Sequence, residues 1–203
     1  MPARPDRIVL ASGNAGKLAE IARILADMDV TVVPQSALGV SDADETGTTF
    51  VENALIKARH AVEATGLPAI ADDSGICVDA LDGRPGVYSA RYSGPGATAD
   101  SNNDRLLAEL EGVPDEQRGA AFHCAACYVD PGMAEPVIAQ GEWRGRILGA
   151  RRGDGGFGYD PLFYVPELGK SSAELSPDEK NARSHRGQAL AELSRKLHEI
   201  EWA

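Results

Sequence analysis

The chain has 203 residues, 43% of them hydrophobic, which is enough for one large domain or two intimately packed lobes around a core. Its 20 basic and 31 acidic residues leave a formal charge of -11, which argues against a surface built to neutralise many nucleic-acid phosphates. A small phosphorylated ligand, held by a local cluster of cations, is not excluded. No apolar run approaches the roughly 20 residues of a membrane helix, and MPARPDRIVL lacks the apolar region of a signal peptide, so the reading is a cytoplasmic protein without a membrane partner.

RIVLAS (7–12) is a short apolar run closed by the turn pair Gly13-Asn14, the pattern of a strand entering a loop. In KLAEIARILADM, Leu18, Ile21, Leu25 and Met28 recur at helical spacing on one face, and VTVVP (30–34) reads as a second strand. Strand, helix and strand in this order predict an α/β unit. SALGVSDADETGTT (36–49) is polar and reads as a loop. Thr49 and Glu52 have capping-box spacing ahead of FVENALIKARHAVEATG, a predicted helix ending near Gly66.

IADDSGICVDAL (70–81) reads as a strand, yet it carries two adjacent carboxylates, Asp72 and Asp73, ahead of a Ser74-Gly75 pair that reads as a turn. A carboxylate held away from water costs several kcal/mol or takes up a proton, so these acids need something to hold. LDGRPGVYSARYSGPGATAD is a turn-rich connection too long to be mere linkage. SNNDRLLAELEG then forms a short helix stopping at Gly112. AAFHCAACYVD and PVIAQGEWRGRI read as a hairpin around DPGMAE, and GDGGFGYDPLFYVPELGK (153–170) is glycine-rich and aromatic. Ser176-Pro177-Asp178-Glu179 combines a capping box with Pro at the first helical position. One closing helix follows, with Leu190, Leu193, Leu197 and Ile200 as its core stripe.

Cys77, Cys124 and Cys127 are too few for a disulfide framework. In CAAC, on a predicted strand, positions i and i+3 point to opposite faces, so the pair reads as buried small hydrophobes with no function.

Four segments could carry chemistry. The Gly/Asn turn of SGNAGKLAE would expose backbone N–H groups at a helix start, a phosphate cradle to which Lys17 adds a cation; its spacing is not that of a Walker motif. Asp42, Asp44 and Glu45, together with Asp72 and Asp73, offer hard oxygens for Mg²⁺, which needs only one or two protein carboxylates beside substrate phosphates and water. Asp42 reads as solvated and Asp72 or Asp73 as a possible turn cap. FGYDPLF offers a stacking aromatic and an acid able to accept from ring N–H donors. Lys180, His185 and Arg186 bunch near a helix start, where the dipole disfavours cations, so they need another reason to be there. Asn53 and Lys57, one turn apart, either face the acids or lie on a wet face.

In order and with matching spacing from about Val9 to Leu193, SGNAGKLAE, DADETGTTFVENALIKARHA, ADDSGICVDAL, GVYSARYSG, FGYDPLF and SPDEKNARSHRGQAL resemble the inosine triphosphate pyrophosphatase family, in its bacterial XTP/dITP branch. The resemblance implies an α/β fold, a mixed central sheet flanked by helices, as a single domain of two lobes over residues 1–203 with a nucleotide-binding cleft, and a homodimer. It implies Mg²⁺-dependent hydrolysis of XTP, dITP and ITP to the monophosphate and pyrophosphate. Ser12, Gly13, Asn14, Ala15, Gly16 and Lys17 match the triphosphate-binding turn. Glu45 and Asp73 match metal ligands, and Asp73 also the proton acceptor. Ser74, Phe157, Gly158, Tyr159, Asp160, Lys180, His185 and Arg186 match substrate contacts; Asn53, Lys57 and Asp72 fall in matching segments. The alternatives are a pyrophosphatase for modified pyrimidine or methylated guanine nucleotides, and a nucleotide-binding module without turnover.

Overall fold

The computed structural model describes residues 3–12, 18, 21, 22 and 25–202. Among them, seven strands form one mixed sheet in the order β2-β1-β3-β4-β5-β6-β7. The strands are β1 (Arg7–Leu10), β2 (Thr31–Pro34), β3 (Ala69–Val78), β4 (Gly119–Val129), β5 (Val137–Ile147), β6 (Phe163–Val165) and β7 (Lys170–Ser171). β1 runs parallel to both β2 and β3, whereas β5–β6 and β6–β7 are antiparallel. The helices are α1 (Phe50–Thr65), α2 (Ala99–Glu109), α3 (Pro177–Asn181) and α4 (His185–His198), and Leu18, Ile21 and Ala22 are also helical. No helix among the described residues is long and apolar enough to cross a membrane.

The chain divides into two compact units. The first comprises Met1–Asp73, Cys124–Gln140 and Gln188–Ala203. On one sheet face Ile8, Leu10 and Ile70 pack with Ile21, Leu25, Met28 and the α4 stripe Leu190, Leu193 and Leu197, with Leu18 and Ile200 at the margin. Each buried leucine of that stripe stabilises by about 1.5–3 kcal/mol over an exposed one. On the other face Val9, Ala69 and Ala71 meet Ala54, Ala58 and Ala61, small side chains that let α1 lie close to the strands. Cys124 belongs to the first cluster and Cys127 to the second, so the pair does point to opposite faces. Burial pushes the Cys127 thiol up to about 12, which keeps it protonated and inert.

The second unit comprises Ser74–His123 and Gly141–Gly187. Its core gathers Ile76, Val78, Leu106, Leu110, Phe122, Trp143, Ile147, Leu162 and Phe163. The buried Arg118 guanidinium closes the end of α2, donating to the Leu110 carbonyl at 2.9 Å and the Val113 carbonyl at 2.9 Å.

Two sequence expectations differ from the structure. Ser74-Gly75 is not a turn: it continues β3 as extended chain, because sheet pairing overrides a local turn preference. The turn-cap role for Asp72 or Asp73 falls with it. The predicted closing helix is two helices. Ser184 interrupts it, its Oγ accepting from the Gly187 N–H at 3.1 Å, so that a second cap starts α4 at His185. Lys180 therefore lies in the last turn of α3, where the helix dipole favours a cation.

Candidate active site

In the first unit the α1 cap forms as the spacing predicts. Thr49 Oγ1 accepts from the Glu52 N–H at 3.1 Å, and Glu52 accepts from the Thr49 N–H at 3.1 Å and the Thr48 N–H at 2.6 Å. These bonds hold the Glu52 carboxyl below its usual range, the Thr48 side chain first and its backbone N–H next. With α1 fixed at its start, Asn53 and Lys57 share the face turned toward β3. Alternation along β3 sends Ala69, Ala71 and Asp73 to that same face, and Ile70 and Asp72 to the opposite one.

Asp73 is the focus of this cluster. Asn53 Nδ2 donates to Asp73 Oδ2 at 3.1 Å, and Lys57 Nζ lies 2.7 Å from Glu45 Oε1 and 3.5 Å from Asp73 Oδ1. Burial disfavours the Lys57 ammonium, but Asp73 and then Glu45 outweigh it, and its pKa is raised above that of an ordinary lysine. Asp72 is buried on the other face. Asp42 is exposed yet accepts from Gln35 Nε2 at 2.6 Å, while Asp44 is exposed. Ser12 follows β1; Gly13, Asn14, Ala15, Gly16 and Lys17 lie outside the described residues.

The donor set fits Mg²⁺. Glu45 and Asp73 present two hard oxygens to one point, where Lys57 already supplies positive charge between them. Among the described residues no three acidic, His or Cys side chains gather as a complete metal cage. Two carboxylates completed by water and phosphate oxygens are the usual environment of Mg²⁺.

In the second unit Ser74, Gly75, Phe122, Phe157 to Asp160, Lys180, His185 and Arg186 line a pocket of about 290 Å³. Its organising group is Asp160, which is 2% exposed. Asp160 Oδ2 accepts from the Phe157 N–H at 2.7 Å and from Lys180 Nζ, and Oδ1 accepts from Ser172 Oγ at 3.0 Å. Gly156 makes this possible: it adopts φ +74°, and a Cβ there would sit 2.1 Å from Asp160 Oδ2. Asn103 Nδ2 donates to the Gly158 carbonyl at 2.8 Å, and Tyr159 Oη donates to the Ser89 carbonyl at 2.8 Å. The loop is thus pinned along its length while the Phe157 ring remains 66% exposed. Lys180 Nζ stands 4.2 Å from the centre of that ring and the Arg186 guanidinium 6.0 Å. The buried His185 ring lies nearly parallel to Phe122, 4.8 Å away at 11°, which sets its plane.

Of the residues that the sequence singles out, the structure gathers Ser74, Phe157–Asp160, Lys180, His185 and Arg186 at one pocket. The sequence does not single out Phe122, which also lines it, or Ser172 and Asn103, which hold its loop. Phe122 has the signal of a core aromatic on a strand, and Ser172 and Asn103 carry no local signal. Asp160, read as an acceptor of ring N–H donors, accepts in this structure from the loop, Ser172 and Lys180.

The profile of the Ham1 family matches residues 8–196 of the chain. The dITP/XTP pyrophosphatase of Pectobacterium atrosepticum is 56% identical over 189 residues, covering 91% of this chain and 94% of that one. The dITP/XTP pyrophosphatase of Thioalkalivibrio sulfidiphilus is 57% identical over 195 residues, covering 94% and 98%. The structure of a HAM1 protein from Coxiella burnetii superposes with a TM-score of 0.91 at 50% identity, covering 96% of this chain and 99% of that one.

Proposed function

As the chain belongs to the Ham1 family, the family its motifs resemble, we propose that it is a nucleoside triphosphate pyrophosphatase for non-standard purine nucleotides. Its substrates are dITP, XTP and ITP, and its products the nucleoside monophosphate and pyrophosphate. The relatives named as dITP/XTP pyrophosphatases support this reading. The single observation that carries it is the pocket around Phe157, which offers an exposed ring face for stacking beside two side chains, Lys180 and Arg186, that can only donate.

Hypoxanthine and xanthine present a 6-oxo acceptor beside an N1–H, whereas adenine presents an amino donor. A pocket whose cations can only donate leaves them unmatched against adenine, and that mismatch discriminates strongly. Asp160 holds Lys180 in place for this contact. Phe157 stacks on the base, and His185 and Arg186 meet its edge.

The phosphates are assigned to the Glu45–Asp73 cluster and the turn Ser12–Lys17, where Lys57 and Lys17 neutralise charge. Glu45 and Asp73 would hold Mg²⁺, which would supply positive charge against the negative charge that develops on the phosphates. Water attacks the α-phosphorus, Asp73 takes up its proton, and the bond from the α-phosphorus to the bridging oxygen breaks to release pyrophosphate. The proposal includes a homodimer and a cytoplasmic location, which rest on the family resemblance and the composition.

The test is product analysis with dITP and Mg²⁺ by phosphorus NMR. Pyrophosphate and dIMP in equal amounts support the reading; orthophosphate as first product overturns it. Asp73→Asn should abolish turnover and retain nucleotide binding.

A further inference from the structure

Asn53 is out of place on its helix. Its neighbours on the buried face of α1 are Ala54, Ala58 and Ala61, the residue type that best suits a helix packed closely on a sheet. An asparagine there lowers helix propensity and requires its amide to be satisfied without water, since it is 0% exposed.

Both ends of the amide have assigned partners. Oδ1 accepts from the Gly47 N–H at 2.8 Å, and Nδ2 donates to Asp73 Oδ2 at 3.1 Å. A backbone N–H can only donate, so the oxygen must face Gly47 and the NH₂ must face the carboxylate. Gly47 stands two residues from Glu45, and a Cβ on it would lie 2.7 Å from Asn53 Oδ1. One amide therefore touches the loop that carries Glu45 and the strand that carries Asp73.

The two oxygens of Asp73 are also distinguished. Oδ2 receives Asn53, and Oδ1 faces Lys57, which also reaches Glu45. With a separate donor on each oxygen, rotation of the carboxyl group about its last bond is fixed.

Resting on the proposed role of Asp73, we propose that Asn53 is the positioning residue of this site. It holds Asp73 Oδ2, so that Oδ1 is the oxygen turned to Glu45, the cation and the attacking water, and it ties the Glu45 loop into the same register. A buried amide that only secured the loop would affect stability; one that orients Asp73 must also affect the acid's work.

The experiment compares wild type, Asn53→Leu, of similar volume without polar atoms, and Asn53→Ser, smaller and tolerant of water in case the leucine variant does not fold. Mg²⁺ alone is titrated into nucleotide-free protein by calorimetry, and steady-state rates with dITP are measured well below the melting temperature. Loss of such a supporting bond typically weakens metal binding by about 10-fold, and kcat should fall by about 100-fold for a misplaced carboxylate. KM for dITP should stay within about threefold, because the base contacts are untouched. In an Asp73→Asn background, Asn53→Leu should change Mg²⁺ affinity by less than it does in wild type, leaving only the part that acts through the Glu45 loop, the non-additivity of residues acting as one unit. Variants that lose stability while keeping kcat and Mg²⁺ affinity within about twofold of wild type overturn the inference. A wild-type protein without turnover overturns the functional reading instead, and the Mg²⁺ titrations then still decide the role of Asn53.

Discussion

Asp160→Asn separates charge from shape at the pocket around Phe157. The asparagine oxygen can keep the Phe157 N–H bond, and its NH₂ can donate to Ser172 Oγ, because a hydroxyl accepts as readily as it donates. The loop should keep its conformation, and only the negative charge facing Lys180 is lost. A hydrogen bond to a charged partner is worth about 1.5–3 kcal/mol against about 0.5–1.5 for a neutral one. Removing one partner of a fully buried pair costs about 3–5 kcal/mol. The Lys180 side chain keeps 15% exposure and some hydration, which places the loss near 2 kcal/mol, within the range for a charged partner and below that for a fully buried pair. For a chain of this size that is about 4–8 °C in melting temperature. With Lys180 no longer held over Phe157, the same energy corresponds to about a 30-fold loss in kcat/KM for dITP. Asp160→Ala should cost more on both measures, since it also removes the acceptor of the Phe157 N–H. The assays are differential scanning fluorimetry and steady-state pyrophosphate release. Asparagine and alanine variants that behave alike, or an asparagine variant indistinguishable from wild type, would refute the assignment of Asp160 to Lys180.

Gly156→Ala places a methyl group against Asp160 Oδ2 in a left-handed backbone, and kcat/KM should fall by at least about 10-fold through strain on that loop, as steady-state kinetics would show. Lys57→Met removes the cation between Glu45 and Asp73; Mg²⁺ affinity of the nucleotide-free protein should rise several-fold in calorimetry while kcat falls by about 100-fold. Away from the site, Glu109 accepts from Tyr92 Oη at 2.6 Å, Arg84 Nη1 at 2.6 Å and Arg105 Nε at 2.9 Å, and these bonds, Tyr92 first, hold its carboxyl below the usual range. A depressed carboxyl stabilises the fold above its ordinary pKa and loses that contribution as pH falls through the folded value. Glu109→Gln should therefore lower stability by about 1–3 kcal/mol at pH 7 and flatten the loss of stability below about pH 4, measured by urea unfolding across pH.

The strands and the α1 cap were legible because their signals are local: an apolar run, a Thr–Glu spacing, a helical stripe such as Leu190, Leu193 and Leu197. The acids of β3 stood out because charge in an apolar strand is costly. Their separation onto opposite faces was hidden while Ser74-Gly75 read as a turn, since only pairing with neighbouring strands shows that the chain stays extended. The break before α4 was hidden behind the stronger Ser176 cap. At the pocket, sequence supplied the residue types but not which lone pairs are taken. An acid at 160 was legible, but not its bonds to Phe157, Ser172 and Lys180, and Phe122 carried only the signature of a core aromatic.

The measurement that bears most directly on the whole account is a panel of triphosphates assayed with Mg²⁺ for pyrophosphate release: dITP, XTP and ITP against dATP, dGTP, dCTP and dUTP. Donor-only cations facing a 6-oxo base predict dITP, XTP and ITP turned over at least about 100-fold faster than dATP, the scale on which an unmatched buried donor discriminates. Equal rates across the panel, or preferred turnover of a pyrimidine nucleotide, would contradict it.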